Sequence, residues 1–474
     1  MMNHEYEAVI GLEVHAELKT KSKIFCACST AFGAEPNTQC CPICMGLPGT
    51  LPTLNRRAVE LAVMAGAALG CEIAERSRTD RKQYFYPDLP KAYQISQAGV
   101  PLCKNGSLRF RTADGERVVG ITRIHIEEDA GKLIHQNGST LIDYNRCGIP
   151  LIEIVSEPDM RTGAEAAAYV RALRAILLTC GISDCRMQEG SLRCDVNISV
   201  RKRGDEGFGV RTEIKNLNSF AFMEKAIDFE FARHCELLSK GEEIRMETRR
   251  YDPATGQTYP MRSKERIFDS RFLAAPDLLP LQLKRDEIDG LRASLPELPT
   301  ARGARMMKDY GITESDAEVL TSDICLADYY ETAANDTQHT KLLANLLLTD
   351  LMRFCENEPF VSPVPEARMS AIAELYGENV INSATAKKLI ARLAAEDFDP
   401  VEVVEREGLA QIQDRVTLQK LITEVLEGNP RAVADYKNGK KSAMRALQGQ
   451  AMARSAGRAD PILLETLLKE SLEV

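Results

Sequence analysis

Four stretches in the N-terminal half alternate apolar and polar residues with a period of two, the mark of strands with one buried and one wet face. In Gly11-Leu12-Glu13-Val14-His15-Ala16-Glu17-Leu18 the alternation sets Leu12, Val14, Ala16 and Leu18 on one face and Glu13, His15 and Glu17 on the other. The pattern returns at residues 192–198 with Arg193, Asp195 and Asn197, and at residues 210–215 with Glu213 and Lys215. A fourth strand, residues 120–127, carries Arg123, His125 and Glu127 on one side and runs into Glu128-Asp129-Ala130-Gly131-Lys132. Between the strands, residues 57–69 and 163–180 read as helices closed by Gly70 and Gly181. Residues 1–295 are therefore expected to form an α+β domain built on an antiparallel sheet. Past Leu295-Pro296-Glu297-Leu298-Pro299 the strand signals fade and apolar residues recur at helical spacing, as in Leu342, Leu343, Leu346 and Leu347. This predicts an all-α domain over 296–399. A helical tail domain over 400–474 is punctuated by Gly428-Asn429-Pro430, Asn438-Gly439 and Ala459-Asp460-Pro461.

Each polar face alone fits an antiparallel sheet with one solvated side. The residue types change the picture, because Asp, Glu and Asn are depleted from ordinary strands yet recur here mid-strand beside Arg and Lys. Faces that line one concave surface would supply oxygen ligands for Mg²⁺ and cations for phosphates. The chain shows no nucleophile elbow, P-loop or dinucleotide fingerprint.

Composition narrows the classes further. With 474 residues, 44% hydrophobic and 27% charged, the chain reads as a soluble protein of two or three domains. The start, Met1-Met2-Asn3-His4-Glu5, has no signal-peptide pattern, and no apolar run is long enough to span a bilayer, so a cytoplasmic location is expected. A net charge of −9 excludes a protein that grips nucleic acid over most of its surface and leaves room for local contact. Lys437, Lys440, Lys441, Arg445, Arg454 and Arg458 concentrate positive charge in the tail. They are either a solvated helix face or a phosphate-backbone contact.

Fourteen cysteines in a reducing compartment point to metal binding or burial. Cys26-Ala27-Cys28 and Cys41-Pro42-Ile43-Cys44 form two close thiolate pairs joined by a loop with Gly33, Pro36 and Asn37. That spacing suits a closed tetrahedral Zn²⁺ site, structural rather than catalytic, within a loop inserted over 26–44. Cys40 is left as a spare.

Longer blocks carry a resemblance. They include Ile10-Gly11-Leu12-Glu13-Val14-His15, Asp80-Arg81-Lys82-Gln83-Tyr84-Phe85-Tyr86-Pro87-Asp88-Leu89-Pro90-Lys91, Glu127-Glu128-Asp129-Ala130-Gly131-Lys132, Pro150-Leu151-Ile152-Glu153-Ile154 and Glu189-Gly190-Ser191-Leu192-Arg193-Cys194-Asp195. With Glu213-Ile214-Lys215-Asn216-Leu217-Asn218 and the tail block Asp435-Tyr436-Lys437-Asn438-Gly439-Lys440, they resemble the B subunit of aspartyl/glutamyl-tRNA(Asn/Gln) amidotransferases, the GatB family, in the same order.

The resemblance implies a sheet cradle related to glutamine synthetase and guanidino kinases, then a helical domain and a tRNA-binding tail. It implies ATP-dependent phosphorylation of the side-chain carboxylate of mischarged Glu-tRNA(Gln) or Asp-tRNA(Asn). Ammonia from a glutaminase (amidase) partner, the A subunit, then displaces phosphate. A heterotrimer with no membrane contact is completed by a small C subunit. On the family's blocks, Glu13, His15 and Glu128 match Mg²⁺ ligands. Glu189 and Asp195 fall in the same ATP-dependent site, with Lys132, Arg193, Glu213 and Lys215 as expected nucleotide contacts. Lys91 occupies a position associated with the ammonia path, its alternative being a solvated loop lysine. Lys437, Lys440 and Lys441 would meet tRNA. The segment Asp269-Ser270-Arg271-Phe272-Leu273-Ala274-Ala275-Pro276-Asp277-Leu278 departs from the family pattern by losing several aromatics and an acid, which bears on how it packs. Two readings from other classes stand beside this one: a non-catalytic zinc-containing tRNA-binding scaffold, and a metal-dependent kinase or ligase for a free small molecule.

Overall fold

The computed structural model describes residues 5–261, 271–357, 359–438 and 440–473; Asp269, Ser270 and Gly439 lie outside the described residues. The chain divides into two compact units, Met1–Thr300 and Ala301–Val474.

The first unit is built on a nine-stranded sheet. Its six central strands are β1 (Tyr6–Glu17), β2 (Gly115–Glu128), β3 (Pro150–Ser156), β4 (Leu192–Lys202), β5 (Thr212–Leu217) and β6 (Glu247–Asp252). The spatial order is Gln257–Pro260, β6, β5, β4, β1, β3, β2, Cys103–Thr112 and Glu72–Ile73. The strand predicted first in sequence thus lies near the middle, paired antiparallel to β4 on one side and β3 on the other. The expectation of an antiparallel sheet needs one correction: β5 and β6 pair in parallel. The helix Phe220–Ser239 connects them, as a parallel pair requires a crossover.

Leu12, Val14 and Ala16 of β1 join Leu61 and Ala65 of the helix Arg56–Ala68 and Tyr169, Val170 and Leu173 of the helix Gly163–Thr179 in one large core. Removing each such Leu or Ile side chain from water contributes ~2 kcal/mol, which pins the register of β1 and so fixes which residues face the other way. Thr162 caps the second of these helices by accepting from Glu165 N, and Gly181, with φ of 62°, lets the chain leave it in the left-handed region.

A small sheet pairs Asp80–Gln83 with Tyr93–Ser96 and with Phe272–Ala274. Phe272–Ala274 of the divergent segment therefore form an edge strand, and Asp277 of the same segment pairs with Arg81 at 2.7 Å.

Among its described residues the second unit is helical apart from an isolated bridge between Ile412 and Ala459 and a two-stranded ladder, Glu356–Asn357 with Phe360–Val361, the latter correcting the all-α expectation for 296–399. It holds two hydrophobic clusters, one from Met306 to Val404 and one from Leu418 to Leu472. Val403 and Val404 belong to the first cluster, so the change of core falls beyond 404, not at 400. No helix of the described residues is long and apolar enough to cross a membrane.

Candidate active site and metal centres

The polar residues of β5, β4, β1, β3 and β2 form one continuous face, because antiparallel register brings like faces together. Glu13 is opposite Asp195, Asn197 opposite Glu213, His15 opposite Glu153, and Glu153 opposite His125. Two ligand groups result. In one, oxygens of Glu13, Asp195 and Glu213 lie within 4.8 Å of one another; in the other, His15, Glu127 and Glu153 do.

In the first group Lys215 Nζ reaches Asp195 at 2.7 Å and Glu213 at 3.0 Å. Asn197 Nδ2 donates to Glu13 Oε1 at 2.9 Å and Thr248 Oγ1 to Glu213 Oε2 at 2.8 Å. Burial, then the nearby Glu153 charge, raises Glu13 above its usual carboxylate range. Asn197 Oδ1 is buried with no hydrogen-bond partner, so the site has an oxygen to spare for an incoming cation. The donor set, three carboxylates, has the hard-oxygen chemistry of Mg²⁺.

In the second group His15 Nε2 stands 3.3 Å from Glu127 and 3.2 Å from Glu153, with His125 Nε2 3.8 Å from Glu127. Burial opposes the His15 imidazolium, yet hydrogen bonds to Glu127 and Glu153 outweigh it and raise the group to about 10. Glu17, the next polar residue of β1, is pushed up to about 8 by burial and then by the charge of Asp129. Arg193 grips Asp129 with two nitrogens, at 3.1 and 2.9 Å.

The structure does not bring Glu128 to Glu13 and His15. Adjacent strand residues point to opposite faces, so Glu127 takes the place beside His15 and Glu128 turns behind the sheet. There Lys91 Nζ contacts both Glu128 oxygens, at 2.6 and 2.5 Å, and Ile95 N donates to one of them at 2.8 Å. Lys91 is accordingly a buried ion-pair partner, not a solvated loop lysine. Glu189 stays outside both groups and pairs with Arg186 at 2.7 Å. Lys132 is exposed on a separate hairpin, Lys132–Gln136 with Ser139–Asp143. Neither Glu127 nor Glu153 is assigned as a ligand from sequence, although both belong to the His15 group. The signal for Glu153 was a lone acid in the otherwise apolar run Leu151-Ile152-Glu153-Ile154.

The thiolate loop closes as its spacing predicts: the sulfurs of Cys26, Cys28, Cys41 and Cys44 lie within 4.8 Å of one another. Cys40 turns away toward Asn145. Asn37, with φ of 60°, fastens the loop through Asp143, Ile142 and Tyr144. Cys44 is drawn down to about 4, first by a hydrogen bond from Cys26. Cys26 and Cys44 also line a cavity of about 240 Å³ with Lys23, Lys91, Tyr93 and Glu128.

In the tail, Lys437 and Arg445 are exposed, and Lys441 opens the helix Lys441–Arg454. Lys440 pairs with Asp435 at 2.9 Å, Arg454 with Glu424 at 3.2 Å, and Arg458 donates to the Gly408 carbonyl, so part of the charge read as a patch has internal partners.

The two ligand groups on the wet face of the mixed sheet and the four-cysteine loop all fall within residues 8–289, which match the family model of the GatB/GatE catalytic domain, and residues 328–472 match that of the GatB domain. The B subunit of aspartyl/glutamyl-tRNA(Asn/Gln) amidotransferase from Carboxydothermus hydrogenoformans is 48% identical over 476 residues, covering 99% of each chain. The proteins of the same name from Moorella thermoacetica and Clostridium acetobutylicum (the latter numbered 1) are 47% and 45% identical, with 99% of this chain covered in each case. The chain belongs to the family of aspartyl/glutamyl-tRNA(Asn/Gln) amidotransferase B subunits.

Proposed function

We propose that this chain is the component that activates the side-chain carboxylate of mischarged Glu-tRNA(Gln), Asp-tRNA(Asn) or both with ATP, for amidation by ammonia. It would work in the cytoplasm beside a glutaminase, the A subunit, with a small C subunit as the third member. The polar sheet face would be a cradle of the glutamine synthetase and guanidino kinase kind. The observation that carries this reading is the adjacency of two ligand groups on one sheet face, Glu13/Asp195/Glu213 and His15/Glu127/Glu153. Each would hold Mg²⁺, His15 giving up its proton where the ion binds, and the metal would supply neutralisation of phosphate charge during phosphoryl transfer.

The chain's own residues do the positioning. Lys215, set between Asp195 and Glu213, keeps these acids together and offers a cation at the edge of the site. Burial disfavours its charge, but Asp195 and then Glu213 outweigh this and raise its pKa. Arg193 serves the same face from beside Asp129. Glu127 in place of Glu128 completes the His15 group, and Glu128 with Lys91 belongs to the cavity behind the sheet, where an ammonia path would run. Cys26, Cys28, Cys41 and Cys44 would hold Zn²⁺ and fix the loop that walls this cavity. The tail would meet the tRNA backbone through Lys437, Lys440 and Lys441.

The test is ATP turnover by the assembled complex with and without mischarged tRNA, together with transamidation of each tRNA. Turnover that requires mischarged tRNA and is lost in Glu213→Gln supports the reading. ATP turnover on a free amino acid, or none with either tRNA, returns the chain to the small-molecule ligase or scaffold alternatives.

A further inference from the structure

Lys23 has no solvent exposure. Its backbone is held at the root of the thiolate loop, where Lys23 N donates to the Cys28 carbonyl at 2.9 Å. Its ammonium lies 3.2 Å from the Tyr144 carbonyl and 3.8 Å from Cys44 Sγ. No carboxylate pairs with it among the described residues. A buried ammonium needs a counter-charge, since a neutral carbonyl offsets only part of its lost hydration. Of the acids in the cavity wall, Glu128 is committed to Lys91 through both oxygens, and Asp277 pairs with Arg81. The remaining source of negative charge is the cysteine group, because four thiolates around a divalent ion carry two excess negative charges, and Cys44, the one Lys23 reaches, is the buried member of the four.

We infer that Lys23 is the counter-cation of the four-cysteine metal centre, donating an N–H to Cys44 Sγ and offsetting one of its excess charges. The inference rests on the reading of this group as a Zn²⁺ site. Four sulfurs at mutual distances within 4.8 Å fit that ion's ligand chemistry. Donation to sulfur withdraws electron density from the thiolate, making it less basic and less nucleophilic, so the ion is held more firmly against protons and chelators. The same placement keeps Lys91 free to pair with Glu128 across the cavity. A purely structural lysine would need only the Tyr144 carbonyl, and Lys23→Gln keeps a donor for that carbonyl while removing the charge.

The experiment uses the full chain as wild type, Lys23→Gln, Lys23→Met and Lys23→Arg. Zinc content is measured first, then the rate of zinc transfer to a chromophoric chelator, and finally the sulfur-to-metal charge-transfer band of cobalt-substituted protein. Loss of the cation should speed zinc release by roughly ten- to a hundred-fold. It should also shift the charge-transfer band to lower energy, with Lys23→Arg close to wild type on both readouts. Lys23→Gln that retains zinc and matches wild type in release rate and band position overturns the inference and leaves the zinc site standing. Wild type purified without zinc overturns both. Should Lys23→Met fail to fold, Lys23→Gln against Lys23→Arg decides.

Discussion

Glu13 and Asp195 are register partners across the β1–β4 ladder, and their carboxylates lie within 4.8 Å of each other together with Glu213. Three acids at this spacing repel unless a cation shares them, and the cation present, Lys215, reaches Asp195 and Glu213. Glu13→Gln or Asp195→Asn keeps the shape and removes one ligand charge. Either should lower acyl-phosphate formation by roughly a hundred- to a thousand-fold, while glutaminase activity of the assembled complex, measured without tRNA, persists. Wild-type phosphorylation by Glu13→Gln at limiting Mg²⁺ would falsify the placement of the ATP-dependent site.

Glu153 and Glu128 should part company under mutation. Glu153→Gln should raise the Mg²⁺ concentration needed for half-maximal ATP turnover, because Glu153 shares His15 with Glu127. Glu128→Gln should leave that Mg²⁺ titration in place. It strands the buried Lys91 ammonium, so thermal or denaturant unfolding should show a loss of about 3–5 kcal/mol. A Mg²⁺ titration that shifts only in Glu128→Gln reverses the assignment.

Cys44→Ser should remove most bound zinc, since serine oxygen is a poor substitute for thiolate. The loop fastened by Asn37 should then become open to proteolysis. Elemental analysis alongside limited digestion between residues 26 and 44 tests this, and unchanged zinc content in Cys44→Ser refutes the ligand set.

Cutting the chain at Pro400 would strip Val403 and Val404 from the core of the preceding cluster. A cut after Ala410 spares them and removes the cluster from Leu418 to Leu472. The shorter chain should keep its fold and lose affinity for tRNA, with a shallower salt dependence of binding. Equal binding and an equal salt slope for truncated and intact complexes show that the tail is not the tRNA contact.

Glu230 is fully buried, pairs with Arg249 at 2.9 Å and Arg233 at 2.7 Å, and faces His234. Burial pushes its pKa up, but hydrogen bonds with His234, Arg233 and Thr258 outweigh this and bring it from 4.5 down to about 2. A folded-state value below the unfolded one stabilises the protein above pH 4.5, and this contribution is lost as pH falls toward 2. Glu230→Gln should therefore be less stable near neutrality and show a flatter loss of stability across that acid range. Parallel slopes for mutant and wild type in denaturant melts from pH 5 to 2 count against the argument.

Period-two alternation in the sequence was enough to put Glu13 and His15 on one face of a strand, and Arg193, Asp195 and Asn197 on one face of another. Cysteine spacing alone singled out Cys26, Cys28, Cys41 and Cys44. These are local facts, set by backbone geometry over a few residues and legible without a partner. What local pattern could not give was which strands become neighbours. The order β5, β4, β1, β3, β2 mixes remote segments, and it alone brings Glu213 to Glu13 and Glu153 to His15. The choice between Glu127 and Glu128 turned on strand parity, decided by which face of β2 the core of Ile124 and Ile126 claims. The pairing of Glu128 with Lys91 and the burial of Lys23 beside Cys44 arise from loops folding back over the sheet. Such contacts depend on the summed burial of the whole core, which no short window of sequence encodes.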